Sequence, residues 1–71
     1  MKQGSVIELE DNTEYAVADI VNYESVEYLY LVNIKNPKDL RFGVIDEEKV
    51  NFVEDDKLFE QLMYKVFKQN Y

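Results

Sequence analysis

The sequence predicts an α+β fold, in which a five-stranded, mostly antiparallel, curved and barrel-like meander carries one C-terminal helix packed on it. Residues 26–34 are the longest run of β-branched, aromatic and aliphatic residues, a composition that favours a strand. Shorter runs of similar character, separated by turn residues, precede and follow it. Residues 56–69 carry apolar side chains at helical spacing. Together these observations predict five strands and one helix.

The central strand is predicted to be covered on both faces. With a period of two residues, Tyr28 and Tyr30 share one face with other apolar side chains, and Leu29 and Leu31 lie on the opposite face. A strand that is apolar on both faces belongs in the middle of a small barrel or of a sheet backed by a helix. We therefore expect one cover for each face, with the C-terminal helix supplying one of them.

Two strands are predicted before the central one. Residues 5–10 alternate as a half-buried first strand, and residues 11–13 supply turn chemistry because Asp and Asn tolerate left-handed backbone. Residues 14–22 form the second strand, and strict alternation would place on one face Tyr15, Val17, Asp19 and Val21. Residues 23–25 then turn the chain into the central strand, residues 26–35.

Two strands are predicted after the central one. Residues 36–39 fit a type I turn, because Asn36 suits its first position and Pro37 its second. Residues 40–45 form the fourth strand, in which Gly43 marks either a bulge or a place where another side chain crosses the backbone. Residues 49–53 form a short fifth strand.

The C-terminal helix is predicted over residues 56–69, with Asp55 or Asp56 as its cap. Its apolar residues recur at four-residue steps in two adjacent rows: Leu58, Phe59, Leu62, Met63, Val66 and Phe67. This stripe is wider than that of an ordinary surface helix. We expect it to lie across the concave face of the sheet, over Leu29 and Leu31.

The composition is that of one small folded domain. A chain of 71 residues has apolar surface for one core, and its hydrophobic share of 46% is well above that of a disordered acidic segment. The absence of cysteine excludes disulfides and thiolate metal sites. No apolar run approaches the roughly 18 residues of a membrane helix, and residues 1–4 lead into a strand rather than a secretion signal. We therefore expect a cytoplasmic protein with no membrane partner.

The net charge of −7 is unevenly distributed. Residues 1–34 hold seven acidic residues against Lys2, whereas the last fifteen residues hold three lysines against Glu60. Direct binding to nucleic acid requires clustered Lys and Arg, so the charge argues against it. A protein partner, in particular a basic one, fits this asymmetry better.

The order of elements also resembles that of a known family of small acidic bacterial proteins, domain-of-unknown-function family 1292. The resemblance covers most of residues 7–67. It depends on five segments: residues 14–17, 23–24, 27–32, 52–56 and 58–60. It implies an acidic meander with a C-terminal helix and no assigned activity. Since that family has no assigned site, the resemblance supplies no site residues.

The sequence holds few residues suited to catalysis or to a cofactor. It has no cysteine and no histidine, and its hydroxyl groups other than tyrosine are Ser5, Thr13 and Ser25. Acidic clusters at residues 8–11, 46–48 and 54–56 lack the spacing of a calcium loop, and they read as solvated loops and a helix cap. Gly4 and Gly43 stand alone and form no phosphate-binding loop. We therefore expect a protein that is not an enzyme and has no metal or other cofactor.

The function predicted from these observations is that of a small intracellular protein-binding module. Its contacts are predicted on the acidic first hairpin and on the exposed tyrosine side of the helix: Glu8, Glu10, Glu14, Asp19, Glu27, Tyr64, Lys65 and Lys68. One alternative is an acidic inhibitor that mimics nucleic acid and blocks a basic nucleic-acid-binding protein. A second is a homo-oligomeric structural protein, with a possible homodimer through the wide apolar stripe of the helix that has Met63 and Phe67 at its margin.

Overall fold

A computed structural model of the protein describes residues 3–9, 11–47 and 49–70, with the side chains of residues 69 and 70 left out of the description. Its elements are β1 (Val6–Glu8), β2 (Glu14–Tyr23), β3 (Val26–Asn33), β4 (Leu40–Asp46), β5 (Lys49–Phe52) and α1 (Asp56–Asn70). The five strands form one antiparallel sheet in the order β1-β2-β3-β4-β5, curled into a half-barrel. The predicted fold class is confirmed.

The strand bounds differ most from the prediction at β1 and at the end of β3. β1 spans three residues rather than 5–10, and Glu10 lies outside the described residues. β3 ends at Asn33 rather than at residue 35. The Asn33 side-chain oxygen accepts hydrogen bonds from the backbone N–H groups of Lys35 (2.9 Å) and Asn36 (3.2 Å), which bends the chain out of the strand. The predicted turn follows, closed by the Asp39 N–H and the Asn36 carbonyl at 2.9 Å.

A β-bulge in β2 contradicts the predicted strict alternation of that strand. Val17 is opposite Leu31 and Asp19 is opposite Tyr30, so Ala18 is the extra residue. The bulge reverses the faces beyond Ala18, so that Val17 and Val21 point to opposite sides of the sheet. A bulge was one of the two roles predicted for Gly43, but in the structure Gly43 pairs regularly with Leu29 and Phe52.

The sheet buries a separate group of side chains on each face. The barrel face, towards which the sheet curls, buries one group: Ile7, Tyr15, Val17, Leu29 and Leu31. The opposite face, called here the helix face, buries a second group together with two residues of α1: Val21, Tyr28, Phe42, Leu62 and Val66. β3 therefore contributes to both groups and is covered on both faces, as its sequence predicted.

The predicted position of the helix over Leu29 and Leu31 is wrong, because α1 packs on the helix face against Tyr28 and Phe42. The curl of the sheet explains the difference. It brings Tyr15 of β2 to within 5.6 Å of Phe52 of β5, measured between ring centroids, although β3 and β4 lie between them in the sheet. The barrel face is therefore filled by its own side chains, and the helix covers the opposite face.

The start of α1 is capped by Asp55, one of the two predicted candidates. One carboxylate oxygen of Asp55 accepts hydrogen bonds from the backbone N–H groups of Lys57 (2.9 Å) and Leu58 (3.3 Å). The apolar stripe of the helix is narrower than predicted. Leu62 and Val66 are buried, whereas Phe67 is 57% exposed at its margin.

The turn between β2 and β3 gives the first testable prediction. Glu24 and Ser25 both adopt positive φ (50° and 67°), and Tyr23 pairs with Val26, which defines a two-residue hairpin turn of type I′. Asn and Gly are the residues that favour this turn. We expect Glu24→Asn combined with Ser25→Gly to raise the free energy of unfolding by about 1 kcal/mol, since less backbone strain remains.

Urea unfolding at 25 °C followed by circular dichroism measures this change. The matched control is Asn36→Gly, which places glycine in a turn where no positive φ occurs at that residue and should not stabilise the protein. A doubly substituted protein that unfolds at the same urea concentration as the unmodified one would contradict the assignment of strain to this turn.

Candidate partner-binding surface

The predicted acidic residues do not all lie on one surface. Glu8 of β1 and Glu14 of β2 are direct cross-strand partners, are exposed, and lie on the helix-face side of the sheet. Asp19 is half-buried on the same side, where its carboxylate accepts a hydrogen bond from the Ile20 N–H at 2.8 Å. Glu27 is exposed on the barrel-face side. The structure therefore brings Glu8 and Glu14 together and separates them from Glu27.

An apolar row that the sequence analysis did not identify lies beside this acidic pair. The row crosses four strands in register, with Val6 opposite Ala16, Ala16 opposite Val32, and Val32 opposite Leu40. Val6 is 53% exposed and the other three residues are half-buried. None of the four belongs to either buried group. Only the register of the folded sheet aligns these residues, which are spread over 35 positions of the chain.

The predicted helix residues differ in their surroundings. Tyr64 is 64% exposed, as expected of a surface anchor, and the Lys68 Nζ lies 5.7 Å from the centre of its ring. Lys65 has an intramolecular role that the sequence did not reveal. Its Nζ donates a hydrogen bond to the Asn22 carbonyl at 2.7 Å and lies 5.3 Å from the Tyr23 ring. Lys65 therefore attaches the helix to β2.

A polar cluster at one end of the barrel face was also not predicted from the sequence. Asp39 accepts hydrogen bonds from the Tyr15 hydroxyl (2.8 Å) and Asn33 Nδ2 (3.1 Å) on one oxygen, and from Arg41 Nε (3.0 Å) on the other. The Arg41 guanidinium lies 4.9 Å from the centre of the Phe52 ring. These contacts join β2, β3, β4 and β5. The ion pair between Asp39 and Arg41 could have been predicted, because the two residues are two positions apart. The contact with Tyr15 could not, because Tyr15 is 24 residues from Asp39.

The cluster shifts the pKa values of Asp39 and Tyr15 in opposite directions. The hydrogen bond from Tyr15, followed by that from Asn33, holds the pKa of Asp39 below its usual value of 3.8. Burial, followed by the hydrogen bond to Asp39, raises the pKa of Tyr15 above its usual value of 10.0. The ionised carboxylate and the neutral phenol are thus the favoured states in the folded protein.

These shifts predict how stability depends on pH. Because folding lowers the pKa of Asp39, its contribution is present above about pH 4 and is lost as the pH falls through the folded value. We expect Asp39→Asn to reduce the free energy of unfolding by about 1 to 2 kcal/mol at pH 7, and this difference from the unmodified protein should shrink below pH 4. Urea unfolding at several pH values measures it.

The raised pKa of Tyr15 gives the opposite dependence. Its contribution is present below about pH 10 and is lost as the pH rises through the folded value, so the difference between the unmodified protein and Tyr15→Phe should shrink at high pH.

The control for Asp39→Asn is Asp46→Asn, which makes the same change at an exposed residue outside the cluster. A difference for Asp39→Asn that stays constant from pH 7 to pH 2 would contradict the role given to the cluster.

The described residues offer a surface for contacts rather than an enclosed polar site. Among them, no polar or charged side chain other than tyrosine is buried, and no three acidic residues gather in a way that would hold a metal ion. The Asp39 carboxylate, which accepts three side-chain hydrogen bonds, is occupied by neighbours from its own sheet. Within the described part of the chain, no helix has both the length and the apolar character needed to cross a bilayer.

No protein-family model, curated protein or solved structure matches this chain. The resemblance to family 1292 therefore stays a prediction, and function has to be inferred from the geometry of the surface.

Proposed function

We propose that this protein is a small, non-catalytic binding module whose partner is a basic protein that contacts the first hairpin. The observation that carries the proposal is the exposed Glu8–Glu14 pair next to a partly exposed apolar row that belongs to neither buried group. Apolar side chains beside like charges form a surface that attracts a partner of opposite charge and then buries area against it.

The Glu8–Glu14 pair does not stabilise the hairpin. Like charges that face each other directly across two strands destabilise a sheet, whereas opposite charges contribute roughly 0.2–1 kcal/mol. A lysine in place of Glu14 would therefore form a favourable pair with Glu8. A basic partner supplies the missing counter-charge, and this supports a binding role for the two carboxylates.

The nucleic-acid mimic is the weaker alternative. Mimicry requires acids spaced along one surface, and Glu27 lies on the side of the sheet opposite Glu8 and Glu14. The homodimer through the helix also has less support than its sequence suggested, since Leu62 and Val66 are already buried against the sheet. Both remain alternatives to a basic protein partner.

A charge-reversal pair tests the proposal. The immobilised protein is incubated with a lysate of its source at low salt, next to Glu8→Lys/Glu14→Lys and to Glu54→Lys/Glu60→Lys. Both pairs change exposed residues and add the same charge. We expect the unmodified protein and the Glu54/Glu60 variant to retain a basic protein that the Glu8/Glu14 variant loses. Binding should weaken as salt rises. Equal retention by all three proteins would contradict the proposal.

A further inference from the structure

We infer that the apolar row Val6–Ala16–Val32–Leu40 is the docking site for one amphipathic helix of a basic partner, which lies beside α1 on the helix face. The inference rests on the proposed function, and it adds the form of the partner segment and the residues that receive it.

The position of α1 leaves room for such a helix. α1 packs against Val21, Tyr28 and Phe42. The register places Ala16, Val32 and Leu40 on the same face of the sheet, farther along the strands. A sheet face that is apolar along its length is normally covered along its length by helices. Here the described helix covers one half, and the apolar row continues on the other.

The dimensions and direction of the row fit a helix. Neighbouring strands lie about 4.8 Å apart, so a row over four strands spans about 14 Å, which corresponds to nine or ten residues of α-helix. The row runs across the strands, and its central residues Ala16 and Val32 lie in inner strands that pair on both sides. A segment that lies across the row on this face therefore contacts its side chains, as a helix lying on a sheet does.

The charges at the two ends of the row define the chemistry of the partner. Glu8 and Glu14 flank its β1–β2 end, and both are exposed. At the β3–β4 end the turn that follows Val32 carries Lys35 and Lys38. Lysine or arginine on the partner helix would therefore face the first hairpin, while its apolar side chains contact Val6 and its neighbours.

The test uses three synthetic peptides of about 14 residues, or four helical turns. The first has leucines on one helical face, lysines beside that face in one half of its length, and glutamines elsewhere. The second has the same composition in an order that gives no apolar face, and the third replaces lysine with glutamate. Methyl NMR spectra of the folded protein follow the titration. We expect saturable shifts at the methyl groups of Val6, Ala16, Val32 and Leu40 with the first peptide alone.

Two matched variants make the test specific. Val6→Lys places a cation in the row, and Val26→Lys makes the same change at a residue that is 37% exposed in the β2–β3 hairpin. We expect Val6→Lys to weaken binding of the first peptide at least tenfold and Val26→Lys to leave it within twofold. Urea unfolding of both variants verifies that the fold is retained, and Val6→Ser replaces Val6→Lys if it is not.

Several results would overturn the inference: equal shifts with the peptide that lacks an apolar face, shifts centred on other residues, or equal weakening by the two lysine variants. These results are distinguishable from failure of the proposed function. If the Glu8/Glu14 variant loses its lysate partner while the row methyl groups do not respond to the peptide, the acidic surface binds a partner of another form and only this inference fails.

Discussion

Replacing Phe42 with alanine is expected to lower the free energy of unfolding by about 3–5 kcal/mol, the largest effect predicted for a single side chain here. Phe42 is fully buried and connects three elements. Its ring stacks on Tyr30 of β3 with 5.1 Å between centroids, and it meets Phe59 of α1 edge-to-face at 5.3 Å. Its removal would leave a cavity between the sheet and the helix and would abolish both aromatic contacts.

The size of the domain makes this loss severe. At 0.05–0.15 kcal/mol per residue, a chain of this length has a free energy of unfolding of about 4–10 kcal/mol. Urea unfolding followed by circular dichroism should therefore show Phe42→Ala partly unfolded or unfolding at very low denaturant. Tyr64→Ala is the matched control, since Tyr64 is an aromatic residue of α1 that is 64% exposed, and its replacement should change stability by less than about 0.5 kcal/mol. Similar losses in the two variants would contradict the assigned role of Phe42.

Replacing Gly43 with alanine is expected to cost about 1–3 kcal/mol, because the added methyl group overpacks the barrel face. A Cβ at this position would lie 2.8 Å from Val50 Cγ1 and 3.2 Å from Leu31 Cδ1. Two explanations for this glycine were predicted, a bulge or a side chain that crosses the backbone, and the structure confirms the second. Without this clash, alanine would make the strand more stable than glycine does.

A double-mutant cycle with Val50→Ala tests this explanation, because the second substitution removes the clashing methyl group. We expect Gly43→Ala to cost less in the Val50→Ala background, with a coupling free energy of about 0.5–2 kcal/mol from urea unfolding. Gly4→Ala is the control. Gly4 has a φ of 89° and no atom within 4 Å of an added Cβ, so its substitution strains the backbone alone and should not couple to Val50. Additive costs for Gly43 and Val50 would contradict steric overlap.

Part of the candidate site was predictable from the sequence. Glu8 and Glu14 were identified from charge, and their pairing follows from a short hairpin between two alternating strands. The role of Lys65 was not predictable, since its partner Asn22 is 43 residues away. Nor was the apolar row, because Ala16 and Val32 face each other only in the register that the bulge at Ala18 allows.

The sequence by itself determined the local elements of this protein: five strands, one helix with its cap at Asp55 or Asp56, and the turn at residues 36–39. These depend on side-chain periodicity and on hydrogen bonds between near neighbours, which a sequence displays directly. Only the tertiary structure decided which face α1 covers, where the bulge falls, and which surface remains open. Those outcomes depend on the curl of the sheet and on contacts between distant residues. Because β3 is apolar on both faces, its alternation does not indicate which face the helix covers.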